Sequence, residues 1–174
     1  MALASEINHQ KWEGKAVAKL KNGVKAEQIW SLLTEDFCNF DKWLPTIDTC
    51  HQIEGDNGKP GLIRYCSSSS STKWCQEKLI AIDPKVRCLS YEILSNNLGF
   101  KSYVSTIKVL KSTEIGGDSE EEEELGGGCE IEWSFVADPV DGLSCEGLGD
   151  YINYSLKGMV ENMEKALFNQ MEIN

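Results

Sequence analysis

Arg64, Glu77 and Tyr103 are the residues of this chain best suited to handle a proton or to grip one polar group in an apolar setting. Their positions are read from side-chain alternation, because successive residues of a strand point to opposite faces. Over 62–66 a period of two groups Leu62, Arg64 and Cys66 against Ile63 and Tyr65. Over 73–81 it groups Cys75, Glu77, Leu79 and Ala81, and over 103–109 it groups Tyr103, Ser105, Ile107 and Val109. Each row is small or apolar apart from its one large polar member, so these are the expected inward faces. An ion buried without a partner is strongly disfavoured, so Arg64 and Glu77 are expected to pair or to share water. Two readings stay open. The pair is a structural ion pair or rim feature, or it belongs to a polar cluster inside an apolar cavity that orients a ligand or moves a proton. Tyr91, Ile93, Trp133 and Phe135 are candidates for its apolar wall or for ordinary core.

These side chains must be held by the elements around them. Residues 11–21 alternate Trp12, Gly14, Ala16, Ala18 and Leu20 against Glu13, Lys15, Lys19 and Lys21, the pattern of a half-buried strand. Residues 25–35 change to helical spacing through Ile29, Leu32 and Leu33. A second short helical piece near Phe40–Leu44 is stopped by Pro45, since proline disfavours helix in the residue before it. Strands are expected at 47–54, 62–66, 74–82, 87–94, 103–110 and 129–137, separated by turns such as Gly55-Asp56-Asn57-Gly58-Lys59-Pro60-Gly61. The run Ser67–Ser71 reads as a solvated hairpin turn, with a cover over a cavity mouth as the alternative. From Ser144 to Met171, Leu148, Ile152, Leu156, Met159, Val160, Met163 and Leu167 recur at helical steps. That predicts a helix of about 24 residues, roughly 36 Å long, with Ser144 as its N-cap. A curved sheet wrapped round such a helix tends to leave space between them, and enclosed space of this kind is a ligand cavity.

Composition narrows the function. The chain has 174 residues, one domain's worth, with residues 1–10 expected as a flexible tail and 11–174 as a single domain. Its formal net charge is −11, which disfavours nucleic acid and anionic membranes as partners. Residues 112–128 hold seven acids and no Lys or Arg, so the remainder carries only −4. That stretch is expected to be a mobile loop. Seven scattered cysteines without a Cys-x-x-Cys pattern suggest reduced thiols and a cytoplasmic location. Two histidines, His9 and His51, leave no basis for a zinc site or a His-based triad, so neither metal nor cofactor is expected. The expected partner is a small apolar molecule with one polar group.

The order of elements, the turn before Leu62-Ile63-Arg64-Tyr65 and the long terminal helix resemble the START-like superfamily, which includes birch-pollen-type allergens and abscisic-acid receptors. The resemblance implies an α+β helix-grip fold: a curved antiparallel sheet of about seven strands wrapped round a long C-terminal helix, with two short helices after the first strand. Four stretches are most similar to the lachrymatory-factor synthases of plants: Lys11-Trp12-Glu13-Gly14-Lys15, Leu62-Ile63-Arg64-Tyr65, Glu77-Lys78-Leu79-Ile80-Ala81-Ile82-Asp83 and Glu132-Trp133-Ser134-Phe135. That family isomerises an alkenyl sulfenic acid to a thial S-oxide without a cofactor, and an arginine, a glutamate and a tyrosine are implicated. The resemblance assigns those positions to Arg64, Glu77 and Tyr103. The middle of the long helix carries Tyr154-Ser155 where the family has a bulky tryptophan against the cavity, and Ser155 and Met159 are expected as ligand contacts. The serines of 67–71 and the acidic insertion also depart from the family, so its substrate is not carried over. The gate and latch sequences of the abscisic-acid receptors are absent, which speaks against hormone reception.

Overall fold

The structure is a computed structural model that describes residues 10–112 and 128–172. The expected tail, apart from Gln10, and the acidic stretch, apart from its two end residues, lie outside the described residues. Among the described residues the order is β1 (Trp12–Lys19), α1 (Ala26–Glu35), a 3-10 turn (Phe37–Lys42), β2 (Thr49–Glu54), β3 (Ile63–Ser68), β4 (Lys73–Asp83), β5 (Cys88–Asn96), β6 (Tyr103–Lys111), β7 (Cys129–Ala137) and α2 (Cys145–Glu172). The strands form one antiparallel sheet in the order β1-β7-β6-β5-β4-β3-β2. The helix-grip architecture expected from the sequence is the one observed.

Strand alternation becomes burial. Leu62, Arg64 and Cys66 are buried while Ile63 and Tyr65 are half-buried, and Tyr103, Ser105, Ile107 and Val109 are all buried. The second helical piece starts three residues earlier than expected, at Phe37. Its last turn still closes ahead of Pro45, where the Trp43 and Leu44 amides donate to the Phe40 carbonyl at 2.9 and 2.8 Å. β2 begins at Thr49 instead of 47, because the segment after Pro45 crosses toward α2 before it enters the sheet.

α2 runs for 28 residues, longer than expected. Ser144 caps it by accepting a hydrogen bond from the Gly147 amide at 2.9 Å, which satisfies one of the unpaired amides of the first turn. Its apolar stripe, Leu148, Ile152, Leu156, Met159, Val160 and Met163, is buried. Two polar ties fix its second half. The Lys21 amide donates to Glu164 at 2.7 Å, and Asn162 donates to the Trp43 carbonyl at 2.9 Å. Near the middle of the helix a Cβ on Gly158 would sit 2.5 Å from the Pro45 ring, so glycine lets the segment before β2 lie directly on the helix.

Gly14 plays a similar part in the sheet. It faces Phe135 across β1 and β7, and a Cβ there would lie 2.5 Å from the Phe135 ring. Phe135 is buried and cannot swing clear, and it stacks on Tyr103 with centroids 6.2 Å apart and planes 6° from parallel. Gly14→Ala is therefore expected to lower stability by about 1–3 kcal/mol, the usual cost of overpacking a filled core. Urea unfolding checks this, and a change below a few tenths of a kcal/mol would show that the ring yields freely.

Candidate functional site

Arg64 and Glu77 are direct cross-strand partners on β3 and β4. Both Nε and Nη2 of Arg64 approach the same carboxylate oxygen, Oε2 of Glu77, at 2.7 Å. Nη1 donates to the Phe37 carbonyl at 2.8 Å. The guanidinium carbon lies 4.0 Å from the Phe37 ring centroid, 4.2 Å from that of Phe40 and 4.8 Å from that of Tyr91. Arg64 is 1% exposed. Burial works against its charge, but the Glu77 carboxylate together with Cys66, Tyr91 and Cys50 outweighs that and holds its pKa above the ordinary arginine value. Two guanidinium N–H groups thus donate to the protein, Nη2 adds an ion-pair contact, and aromatic rings surround the plane. Among the described residues no hydrogen bond engages the second carboxylate oxygen of Glu77, Oε1.

A cavity of about 90 Å³ opens beside this pair, between the concave face of the sheet and the first turns of α2. Arg64, Glu77, Tyr103, Tyr91, Ile93, Trp133 and Ser155 all line it. The sequence-derived trio therefore meets in one place. Phe135 and Met159 do not line it and are corrected to core positions. Phe135 lies against Tyr103 and fills the space left by Gly14, while Met159, fully buried, is one helical turn beyond Ser155. The helix residues on the wall, Leu148, Tyr151, Ile152 and Ser155, all come from the N-terminal half of α2. The hairpin Ser69–Thr72 is exposed and tied back to Asp48, whose carboxylate accepts from the Ser69 amide at 3.0 Å. It is a turn and not part of the cavity wall.

Tyr103 is positioned by residues that alternation alone did not single out. Its hydroxyl is 2.9 Å from Ser105 Oγ, and the Trp133 indole N–H donates to the same Oγ at 2.8 Å. Ser105 is fully buried and faces Tyr91 across β5 and β6. Because the indole can only donate, it occupies one acceptor site of Ser105. If the serine hydroxyl then donates to Tyr103 Oη, the phenol keeps its own proton to offer elsewhere. The signal for Ser105 was present in the sequence, in the same inward row as Tyr103. Thr46 gave no periodic signal, because it sits in a loop, 3.4 Å from Ser155 Oγ.

Burial raises the pKa of Tyr103; the Ser105 hydrogen bond opposes this and the Glu77 charge adds to it. Burial also pushes Tyr91 well above the ordinary phenol value, with Glu77 adding to it. In the unfolded chain both ionise near pH 10, whereas the folded protein holds their protons to higher pH. Their contribution to stability is therefore complete below about pH 10 and is lost as pH rises through the folded-state values. The urea midpoint is expected to fall between pH 9 and pH 11, and less steeply in Tyr103→Phe. An identical slope in that variant would contradict the assignment.

The arrangement is a largely apolar, aromatic-walled cavity holding a carboxylate oriented by a guanidinium and a phenol hydrogen-bonded to a serine. Such a pair can bind a hydroxyl-like group from two sides, or pass a proton from one atom to another. Among the described residues no helix is long and apolar enough to cross a membrane.

A family model described as polyketide cyclase/dehydrase and lipid transport matches residues 22–167. Solved structures share the fold. An uncharacterised protein of Bacillus thuringiensis is 20% identical with a TM-score of 0.64, covering 87% of this chain and 98% of its own. The protein XoxI of Bacillus cereus is 20% identical with a TM-score of 0.64, covering 91% and 98%. Major latex-like protein 151 of ginseng, Panax ginseng, is 17% identical with a TM-score of 0.63, covering 89% and 97%.

Proposed function

The chain belongs to the polyketide cyclase/dehydrase and lipid transport family, and from that we propose that it binds a small, mostly apolar metabolite carrying one polar group. The polar end meets Glu77 Oε1 and the Tyr103 hydroxyl, and the apolar part lies among Tyr91, Ile93, Trp133, Leu148 and Ile152. The observation that carries this reading is the division of labour on Glu77. One oxygen is held by Arg64, the other has no hydrogen bond among the described residues, and the side chain lines a largely apolar cavity. Size restricts the ligand. A cavity of about 90 Å³ suits a compact molecule of a few heavy atoms.

The second reading is catalysis of the lachrymatory-factor-synthase type, and the same carboxylate favours it. Glu77 would take a proton from the oxygen of a sulfenic acid, or of an enolisable substrate, and return it to carbon. Tyr103 would steady the oxygen by hydrogen bonding. Arg64 fixes the base through its hydrogen bonds to Glu77 and the Phe37 carbonyl, and its remaining N–H groups stand on the same cavity wall.

Both readings are tested by supplying an alkenyl sulfenic acid generated in place and analysing the products. Formation of the thial S-oxide above the uncatalysed level supports the enzyme. With no such product, binding of short unsaturated alcohols or sulfoxides that raises the melting temperature supports the binder. Neither turnover nor a shift from any such compound would overturn the proposal.

A further inference from the structure

Three cysteines form a row across the floor of the sheet that proton transfer does not use. Cys50 on β2 pairs in register with Cys66 on β3, and Cys66 pairs with Cys75 on β4. The sulfurs of Cys50 and Cys66 are 3.3 Å apart. Cys66 and Cys75 both line the cavity, Cys66 buried and Cys75 half-buried. Residues opposed across antiparallel strands have Cα atoms about 4.5–5.5 Å apart, within the span that a disulfide bridges. The row therefore offers an entry thiol at the cavity, a second thiol placed to resolve it, and a third in contact with the second.

We propose that this row is a covalent acceptor site for small oxidised-sulfur molecules that enter the cavity, such as sulfenic acids, thiosulfonates and small disulfides. With a sulfenic acid, the Cys75 sulfur attacks the electrophilic sulfur and an S–S bond forms as the S–O bond breaks. The thiol proton leaves with the hydroxyl as water, giving a mixed disulfide. Cys66 then attacks Cys75 sulfur, releasing the small molecule as a thiol that carries the Cys66 proton and leaving a Cys66–Cys75 disulfide. Exchange with Cys50 moves that bond to Cys50–Cys66 and frees Cys75. In net terms two protein thiols are oxidised and one sulfur of the small molecule is reduced.

The surroundings suit a site that stays reduced until such a molecule arrives. Contact with Cys66, and then burial, push the Cys50 thiol far up. For Cys66 the contact with Cys50 pulls down, but the contact with Cys75, burial and the Glu77 charge outweigh it. Thiols held protonated are slow toward oxidants in bulk solvent; the same protonation slows the exchange steps, which rely on the strand register placing each thiol beside the disulfide it attacks. The proposal depends on access to the cavity and not on proton transfer by Glu77, so a protein that turns over no sulfenic acid still shows this chemistry.

The test uses methyl methanethiosulfonate, which transfers a methylthio group to a thiol, on the full-length native protein, with peptide mapping of every cysteine. In the unaltered protein the expected product is a disulfide joining Cys66 to Cys75 or to Cys50, with methanethiol released. In Cys66→Ala the methylthio group is expected to stay on Cys75. In Cys50→Ala the Cys66–Cys75 disulfide should accumulate. These two variants differ in which strand loses its thiol, so misfolding of one does not remove the test. Label confined to other cysteines such as Cys88 and Cys145, with Cys75 unmodified in the native protein and in both variants, would overturn the proposal.

Discussion

Arg64→Ala is expected to lower the free energy of unfolding by about 3–5 kcal/mol, the cost of breaking a buried ion pair from one side. Arg64 is 1% exposed, donates from Nε to one oxygen of Glu77 with Nη2 also 2.7 Å from it, donates from Nη1 to the Phe37 carbonyl, and sits among three aromatic rings. Its removal strands a carboxylate and a carbonyl in an apolar interior and leaves the ring faces without their packing partner. The pair as a whole is not expected to be a large net source of stability, because desolvating both charges offsets much of their attraction. The double replacement Arg64→Met with Glu77→Leu should therefore recover most of the loss while abolishing recognition of a polar group. Urea unfolding of the single and double variants measures both effects. A loss below about 1 kcal/mol for Arg64→Ala would show that water or another cation relieves Glu77, and the description of a buried, mutually dependent pair would fail.

Glu77→Gln is expected to do the opposite: little to the fold and much to the chemistry. Glutamine keeps the shape and still offers one acceptor to Arg64, but it cannot take a proton. Under the catalytic reading, turnover of an alkenyl sulfenic acid should fall by about 10²–10⁴-fold, the range general-base groups supply, with KM changed far less. Comparing kcat and KM separates this from a structural effect, since distortion of the cavity would weaken binding as well. If kcat is unchanged within a few-fold, the proton moves by another route and only the binding reading survives.

Much of this was legible in the chain because strands write their inward face at every second residue. Arg64, Glu77 and Tyr103 stood out as large polar groups in small or apolar rows, and the structure brings all three to one cavity. Alternation does not say which part of an inward face is hollow, however. Phe135 shares its face with Trp133, yet the space above Gly14 draws it into the core behind Tyr103. Met159 shares the stripe of α2 with the cavity-lining Ile152, but the helix meets a filled core one turn past Ser155. Arg64 lines the cavity, with part of its donor set held by the protein. The Phe37 carbonyl, supplied by a 3-10 turn whose approach no periodicity reveals, takes up one of its donors. Thr46, Leu98 and Phe100 were silent for the same reason: they lie in connecting segments placed by packing and not by a repeat.

The central claim is that one oxygen of Glu77 faces a largely apolar cavity where a small molecule puts its polar end. A crystal structure of the protein soaked with but-2-en-1-ol, a short unsaturated alcohol, tests it most directly. The account predicts the hydroxyl within hydrogen-bond distance of both Glu77 Oε1 and the Tyr103 hydroxyl, with the carbon chain among Tyr91, Ile93 and Ile152. Alcohol found only on the outer surface, or a Glu77 carboxylate turned away with both oxygens on Arg64 and the space beside it filled by side chains, would contradict it.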